Sequence, residues 1–136
     1  MTPPLLDTSF LVRYLSDDPP ALAERATAVI DSDTAVSVSA VALAETAHLL
    51  RSVYRFPQEQ IVGALLEIVQ KENVQPLGLD RATVVEALHL CRPSGRVSVP
   101  DALIWAEARA SGAGAVYSFD LRFPEMGIDV RRAETS

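Results

Sequence analysis

The stretch PPLLDTSFLVRYL, residues 3–15, changes character twice within a few positions. Two prolines lead into Leu5-Leu6, the apolar run stops at Asp7-Thr8-Ser9, and a second apolar stretch starts at once at Phe10. A short apolar run bounded by proline and turn residues has the pattern of a buried strand. A small polar residue ahead of apolar positions at helical spacing has the pattern of a helix start. Residues 4–7 therefore read as a strand that feeds a helix from Thr8 or Ser9 to Leu15, closed by DDPP, with a carboxylate at the junction.

The same alternation continues along the chain. ALAERATAVIDS has helical spacing, TAVSV (34–38) reads as a second strand, and SAVALAETAHLLRSVYRF reads as a helix capped by Ser39. Pro57 is placed to start the next helix, VQPLG is a weak strand whose proline implies a sheet edge, and Asp80 is placed to cap RATVVEALHLCR. Pro100 sits at a first-turn position of DALIWAEARASG, which runs to a glycine stop; AVYSFD and IDVRR are the remaining strand candidates. Short strands alternating with helices argue for an α/β fold whose parallel sheet is covered on both faces. Such sheets bind ligands in the crevice outside the carboxyl ends of their strands. Asp7 ends the first strand and Asp120 ends AVYSFD, so both carboxylates are expected at one edge.

At 136 residues, with 49% apolar residues and no repeat or linker, one domain spanning 1–136 is the expected organisation. No apolar run approaches the roughly 18 residues of a membrane span, and the first residues lack the basic-then-apolar pattern expected of a secretory signal. Cys91 is the single cysteine, which excludes an internal disulfide and fits a reducing cytoplasm. The formal charge is −6. Broad neutralisation of nucleic-acid phosphate is therefore disfavoured as a binding mode, and chemistry on nucleic acid would need metal ions and a few arginines.

Four acidic residues can reach one crevice: Asp7, Glu45, Asp101 and Asp120. Each has a local explanation too. Asp7 suits a turn or cap, Asp101 a capping-box position after Ser98, and Asp120 a cap for the turn beyond it. Glu45 has Val41, Ala42, His48 and Leu49 as its helical neighbours, so it is expected to interrupt an apolar face unless it lies at the solvent border. The order strand-end Asp, helix Glu, helix-start Asp, strand-end Asp is what gives the set weight. Two carboxylates about 4 Å apart repel by on the order of 4 kcal/mol at an effective dielectric of about 20. Raised pKa values or divalent cations would relieve that cost, and oxygen donors without His or Cys suit Mg²⁺ or Mn²⁺.

The segments LLDTSFLVRYL (5–15), AETAHLL (44–50), VPDALIWAEARASGA (99–113) and VYSFDLRF (116–123) resemble, in order and rough spacing, the motifs of the PIN domain. They look most like its small VapC-type toxins of prokaryotic type II toxin–antitoxin modules. The resemblance implies a three-layer α/β/α fold with a short, mainly parallel central sheet of four to five strands. It implies an endoribonuclease dependent on Mg²⁺ or Mn²⁺ that cleaves structured RNA, forms a homodimer and is silenced by a cognate antitoxin. Asp7, Glu45, Asp101 and Asp120 would be the catalytic and metal-binding quartet, with Asp7 and Asp101 as direct ligands. Thr8 and Ser9 would steady the first carboxylate, and Ser118, two residues before Asp120 on the same strand face, would hold a metal-bound water. Arg13, Arg96 and Arg122 are candidate phosphate contacts.

Other features read more plainly. Trp105 is expected in the core, and apolar residues around 41–50 and 61–69 exceed what one helix face needs, so part of them is expected at a dimer or antitoxin interface. Two Glu-x-x-His pairs, Glu45–His48 and Glu86–His89, have the spacing of di-iron bundles, but the prolines cut the helices too short. Receiver domains and haloacid-type phosphatases need a lysine near the site, and Lys71, the single lysine, falls in a helix remote from it. The remaining alternative is a catalytically silent PIN-like module that binds RNA or protein.

Overall fold

A computed structural model describes residues 1–93 and 95–132; residue 94 and residues 133–136 of the expected 1–136 domain lie outside the described residues. Helix α1 spans Thr8–Ser16, α2 Pro20–Ile30, strand β1 Val36–Ser39, α3 Ala40–Ser52 and α4 Gln58–Val69. Strand β2 follows at Val74–Leu77, then α5 Arg81–Leu90, α6 Val99–Ser111, β3 Ala115–Tyr117 and β4 Asp129–Arg131. The expected class, helices interleaved with short parallel strands, is what the chain forms.

Local chemistry sets the helix ends. Asp7, Ser39, Asp80 and Ser98 each hold an extended backbone, and their side chains accept from the backbone N–H of Ser9, Ala42, Thr83 and Asp101. Each satisfies one of the donors a helix leaves unpaired at its start. Pro57 occupies the position before α4, and Pro100 lies in the first turn of α6. Helix α6 stops at Gly112, whose φ of 80° places it in the left-handed region open to glycine.

The central sheet of four to five strands is not what the described residues show. They form two parallel pairs, β1 with β2 and β3 with β4. Val36 pairs with Val74 and Ser39 with Leu77; Ala115 pairs with Asp129 and Tyr117 with Arg131. The expected first strand, 4–7, contributes only a bridge between Leu5 and Ser37. Ser37 N–H donates to the Pro4 carbonyl and Leu6 N–H donates to the Ser37 carbonyl, both at 2.7 Å. Pro3 and Pro4 have no N–H to lengthen that ladder. Strand β2 lies on the outer side of β1, which suits Pro76 for the same reason.

The expected strand AVYSFD also ends early. Ser118 N–H still reaches the Arg131 carbonyl at 2.9 Å, but the Ser118 hydroxyl then accepts the backbone N–H of Asp120 at 3.0 Å. That local turn competes with continued pairing. Asp120 is therefore a loop residue beyond β3, although it and Ser118 both stay half-buried on the inner side of the segment.

The core runs through both halves of the chain. Leu11, Ile30, Val38, Leu43, Leu50, Leu65, Leu88 and Trp105 are sealed from solvent. Helix α4 buries Ile61, Val62, Leu65, Leu66, Ile68 and Val69, each worth about 1.5–3 kcal/mol relative to exposure. The apolar surplus at 61–69 is thus spent inside the chain, not on an interface; in the 41–50 segment only Val41 is largely exposed. Helix α1 packs on α2 and α3, α6 on α5 and α3, and α4 bridges α3 and α5. Trp105 is a core residue as expected, and its indole N–H donates to the Met126 carbonyl at 2.8 Å, tying α6 to the loop after β3. Cys91 is buried, with its thiol pushed up to about 12 by that burial. No described helix is long and apolar enough to cross a membrane.

Candidate functional site

The α1 start is built by Asp7 itself. Its Oδ2 accepts the Ser9 hydroxyl at 2.8 Å and the Ser9 backbone N–H at 3.3 Å. These bonds stabilise the ionised form and hold the carboxyl below its ordinary range, the Ser9 hydroxyl having the larger effect. The Thr8 backbone N–H adds a smaller lowering effect on Asp7, but the Thr8 hydroxyl is not turned to that carboxylate. The hydroxyl donates instead to Glu45 Oε1 at 2.7 Å, joining α1 to α3. Asp7, Thr8 and Glu45 line one open cleft of about 240 Å³ with Leu5, Leu6, Ser39, Val41 and Ala42.

Glu45 is exposed, not set into an apolar face, because α3 turns Val41, Glu45 and His48 outward while Ala42, Thr46 and Ala47 face the core. The burial cost expected for it does not arise. Glu45 nonetheless reaches towards the start of α6: a second cleft, of about 330 Å³, has Ala44, Glu45, His48, Leu49 and Pro100 on its walls. Pro100 directly precedes Asp101.

Asp101 is half-buried in the first turn of α6, with the Asp120 carboxyl close enough to perturb it. Partial burial, then the nearness and charge of Asp120, raise the Asp101 carboxyl above its ordinary range; Ser98 and Arg122 pull in the other direction. Asp120 is held low, chiefly by the Arg122 backbone N–H, which donates to Oδ1 at 2.8 Å, and also by the Arg122 guanidinium at 3.4 Å. The opposed shifts follow from the settings of the two carboxyls: partial burial penalises charge on Asp101, whereas the N–H and guanidinium of Arg122 favour charge on Asp120.

The four acidic residues thus stand as two couples, Asp7 with Glu45 on one cleft and Asp101 with Asp120 close together. Among the described residues, no three His, Cys, Asp or Glu side chains are grouped closely enough to hold a metal ion. Local partners account for the spacing: Asp7 is turned to Ser9, Glu45 to Thr8 and Asp120 to Arg122. The donor chemistry still fits a hard divalent cation. It is all oxygen, and a half-buried aspartate close to a second one is a place where added positive charge is stabilising.

The candidate arginines differ in setting. Arg122 is engaged by Asp120. Arg13 turns to Tyr54, whose hydroxyl accepts from it at 3.3 Å, and it lines a groove with Ser9, Phe10, Leu22 and Arg25. Arg96 is exposed, between α5 and α6. Ser118 braces the loop rather than the cleft: it accepts the Asp120 N–H, and its carbonyl accepts Arg132 Nη1 at 2.6 Å. Lys71 lies just beyond α4 rather than in a helix, bound to Asp31 at 3.0 Å and away from these carboxylates.

Sequence reasoning overlooked the exposed apolar side chains around Asp120. Tyr117, Phe119 and Leu121 all face solvent. Their alternation with Ser118 and Asp120 was the available signal, and reading AVYSFD as a buried strand concealed it.

The family model described as the PIN domain matches residues 5–129. No curated protein matches the chain.

Proposed function

The chain belongs to the PIN-domain family, and from that premise we propose that it is a Mg²⁺- or Mn²⁺-dependent endoribonuclease, the toxin of a VapC-type toxin–antitoxin module. Proteins of this family are generally nuclease-like. The observation that carries the reading is the closeness of Asp101 and Asp120, with Asp101 held above and Asp120 below the ordinary carboxylate range. A scaffold gains nothing from a half-buried carboxyl pair, and perturbed acids at one locus mark chemistry.

Asp101 and Asp120 would hold the cation, with Asp7 and Glu45 completing the site across the adjoining clefts. When bound, the ion supplies positive charge against the phosphodiester and polarises the attacking water. Ser9 keeps Asp7 ionised and oriented, and Thr8 holds Glu45 in position. Arg122, once shared with substrate phosphate, contributes a charge-assisted contact beside Asp120. The wider expectations of structured RNA as substrate, a cognate antitoxin, a homodimer and cytoplasmic residence belong to the same proposal. So does the organisation of residues 1–136 as one domain.

A second reading, a silent PIN-like module binding RNA or protein, is favoured by one observation: the described carboxylates form couples, not a cluster of three. One experiment separates the two. Cellular RNA is incubated with wild-type protein in Mg²⁺, with chelator, and with Asp7→Asn and Asp101→Asn. Cleavage by the wild type in Mg²⁺ alone supports the nuclease. Identical RNA profiles in every arm sink it in favour of the silent module.

A further inference from the structure

Segment 117–121 has two sides. Tyr117, Phe119 and Leu121 are 69%, 83% and 79% exposed, while Ser118 and Asp120 between them are half-buried. The inward side carries the Asp101–Asp120 pair, so the outward side presents large apolar side chains immediately next to it. The base of this segment is braced: Arg132 donates to the Ser118 carbonyl, and the Asp120 N–H is bound by Ser118. Cations surround it. Arg122 is at 3.4 Å from Asp120, and the Arg131 guanidinium lies 5.9 Å from the Tyr117 ring centroid while also paired to Asp129 at 2.9 Å. Glu125 is a further exposed acid in the following loop.

We propose that Phe119, flanked by Tyr117 and Leu121, is the surface on which an unpaired nucleobase of the RNA substrate stacks, beside the carboxylates Asp101 and Asp120. The inference rests on the nuclease reading and names how that site selects single-stranded nucleotides. Neighbouring Cα atoms are about 3.8 Å apart, so a nucleotide whose phosphate meets Arg122 has its base within reach of Phe119. Unpaired RNA bases are commonly held on aromatic faces with arginine close by, and any base can use such a face. Three adjacent side chains suit one or two bases, and they fall short of the roughly 800 Å² that a stable protein interface takes from each partner.

The test uses the full chain carrying Asp101→Asn, to prevent cutting, and a fluorescein-labelled single-stranded oligoadenylate. Adding Phe119→Ala is expected to weaken binding about 5- to 100-fold, the range for losing one stacked base, and Phe119→Tyr is expected to restore it. An abasic ribose-phosphate oligomer of equal length should bind the parent and the Phe119→Ala form alike, because the phosphates remain and the base does not. Equal affinity of both forms for oligoadenylate, equal weakening on the abasic oligomer, or no binding of oligoadenylate by the parent each overturns the proposal. So does a Phe119→Ala effect confined to self-association, read by light scattering, which would make the face a contact between copies. Wild-type cleavage of RNA in Mg²⁺, measured in parallel, shows whether the nuclease reading survives when this inference does not.

Discussion

The Thr8 hydroxyl donates to Oε1 of Glu45 at 2.7 Å, across 37 residues of sequence. It is the link between the start of α1, where Asp7 stands, and the outward face of α3. An exposed bond of this kind contributes little to folding, yet it fixes the direction of a solvent-facing carboxylate.

Thr8→Val removes the bond at nearly constant volume. Displacements of about 1 Å in a reacting group can cost on the order of 100-fold in rate, so RNA cleavage is expected to fall about 10- to 100-fold. Thermal unfolding should move by less than about 3 °C, since the site is solvent-accessible. A loss of melting temperature proportionate to the loss of activity would show that Thr8 serves the fold instead.

Asp101 gives a pH signature. Its folded pKa is raised, so the folded state holds this proton more tightly than the unfolded chain does. Its stabilising contribution is present below the unfolded value and lost as pH rises through the folded value. Asp120 has the opposite sign, contributing above its unfolded value and losing that as pH falls through its lowered one. Asp101→Asn is therefore expected to abolish cleavage while raising the melting temperature at neutral pH, where the wild type must ionise Asp101. Mg²⁺ should raise the wild-type melting temperature and leave that of Asp101→Asn nearly unchanged. Differential scanning fluorimetry across pH, with and without Mg²⁺, checks both signs; a less stable Asp101→Asn at neutral pH contradicts them.

Trp105 couples the core to the loop that carries Asp120. It is sealed from solvent, and its indole N–H meets the Met126 carbonyl at 2.8 Å. Trp105→Phe leaves that carbonyl unpaired and removes part of the ring, a loss of about 2–3 kcal/mol. Proteolytic nicking within 117–127 should accelerate before global unfolding does, as measured by limited trypsin digestion at Arg122.

Ile61 tests where the apolar surplus of α4 is used. The side chain is fully buried within the chain. Ile61→Ala is expected to cost about 2–5 kcal/mol, with a lowered urea midpoint whose shift does not vary with protein concentration. A shift that grows on dilution would place Ile61 at a subunit contact.

Much of this architecture could be read directly from local chemistry. Asp7, Ser39, Asp80 and Ser98 cap helices because a short polar side chain satisfies nearby N–H donors with no help from distant residues. Gly112 ends α6 for an equally local reason. The strands were less legible. AVYSFD has the composition of a buried strand, but Ser118 bonds the Asp120 N–H and ends the pairing after three residues. Glu45 could be read as apolar-facing or as lying at the solvent border, because the rotation that α3 takes against α1 and α6 is set by packing, and it is exposed. The direction of Thr8 towards Glu45, and not Asp7, depends on how α1 packs against α3.

The order of the helices, the caps at Asp7, Ser39, Asp80 and Ser98 and the candidate acidic positions could be read from the sequence alone, since hydrophobic period, proline and glycine placement and capping act over a few residues. Tertiary structure decided which carboxylates meet. Asp101 and Asp120 come close together because α6 and the loop pinned by Trp105 are packed together, whereas Asp7 and Glu45 line one cleft spanned by Thr8. Contacts between residues far apart in sequence are set by packing of whole elements, and the ionisation of each acid follows from the neighbours that packing supplies.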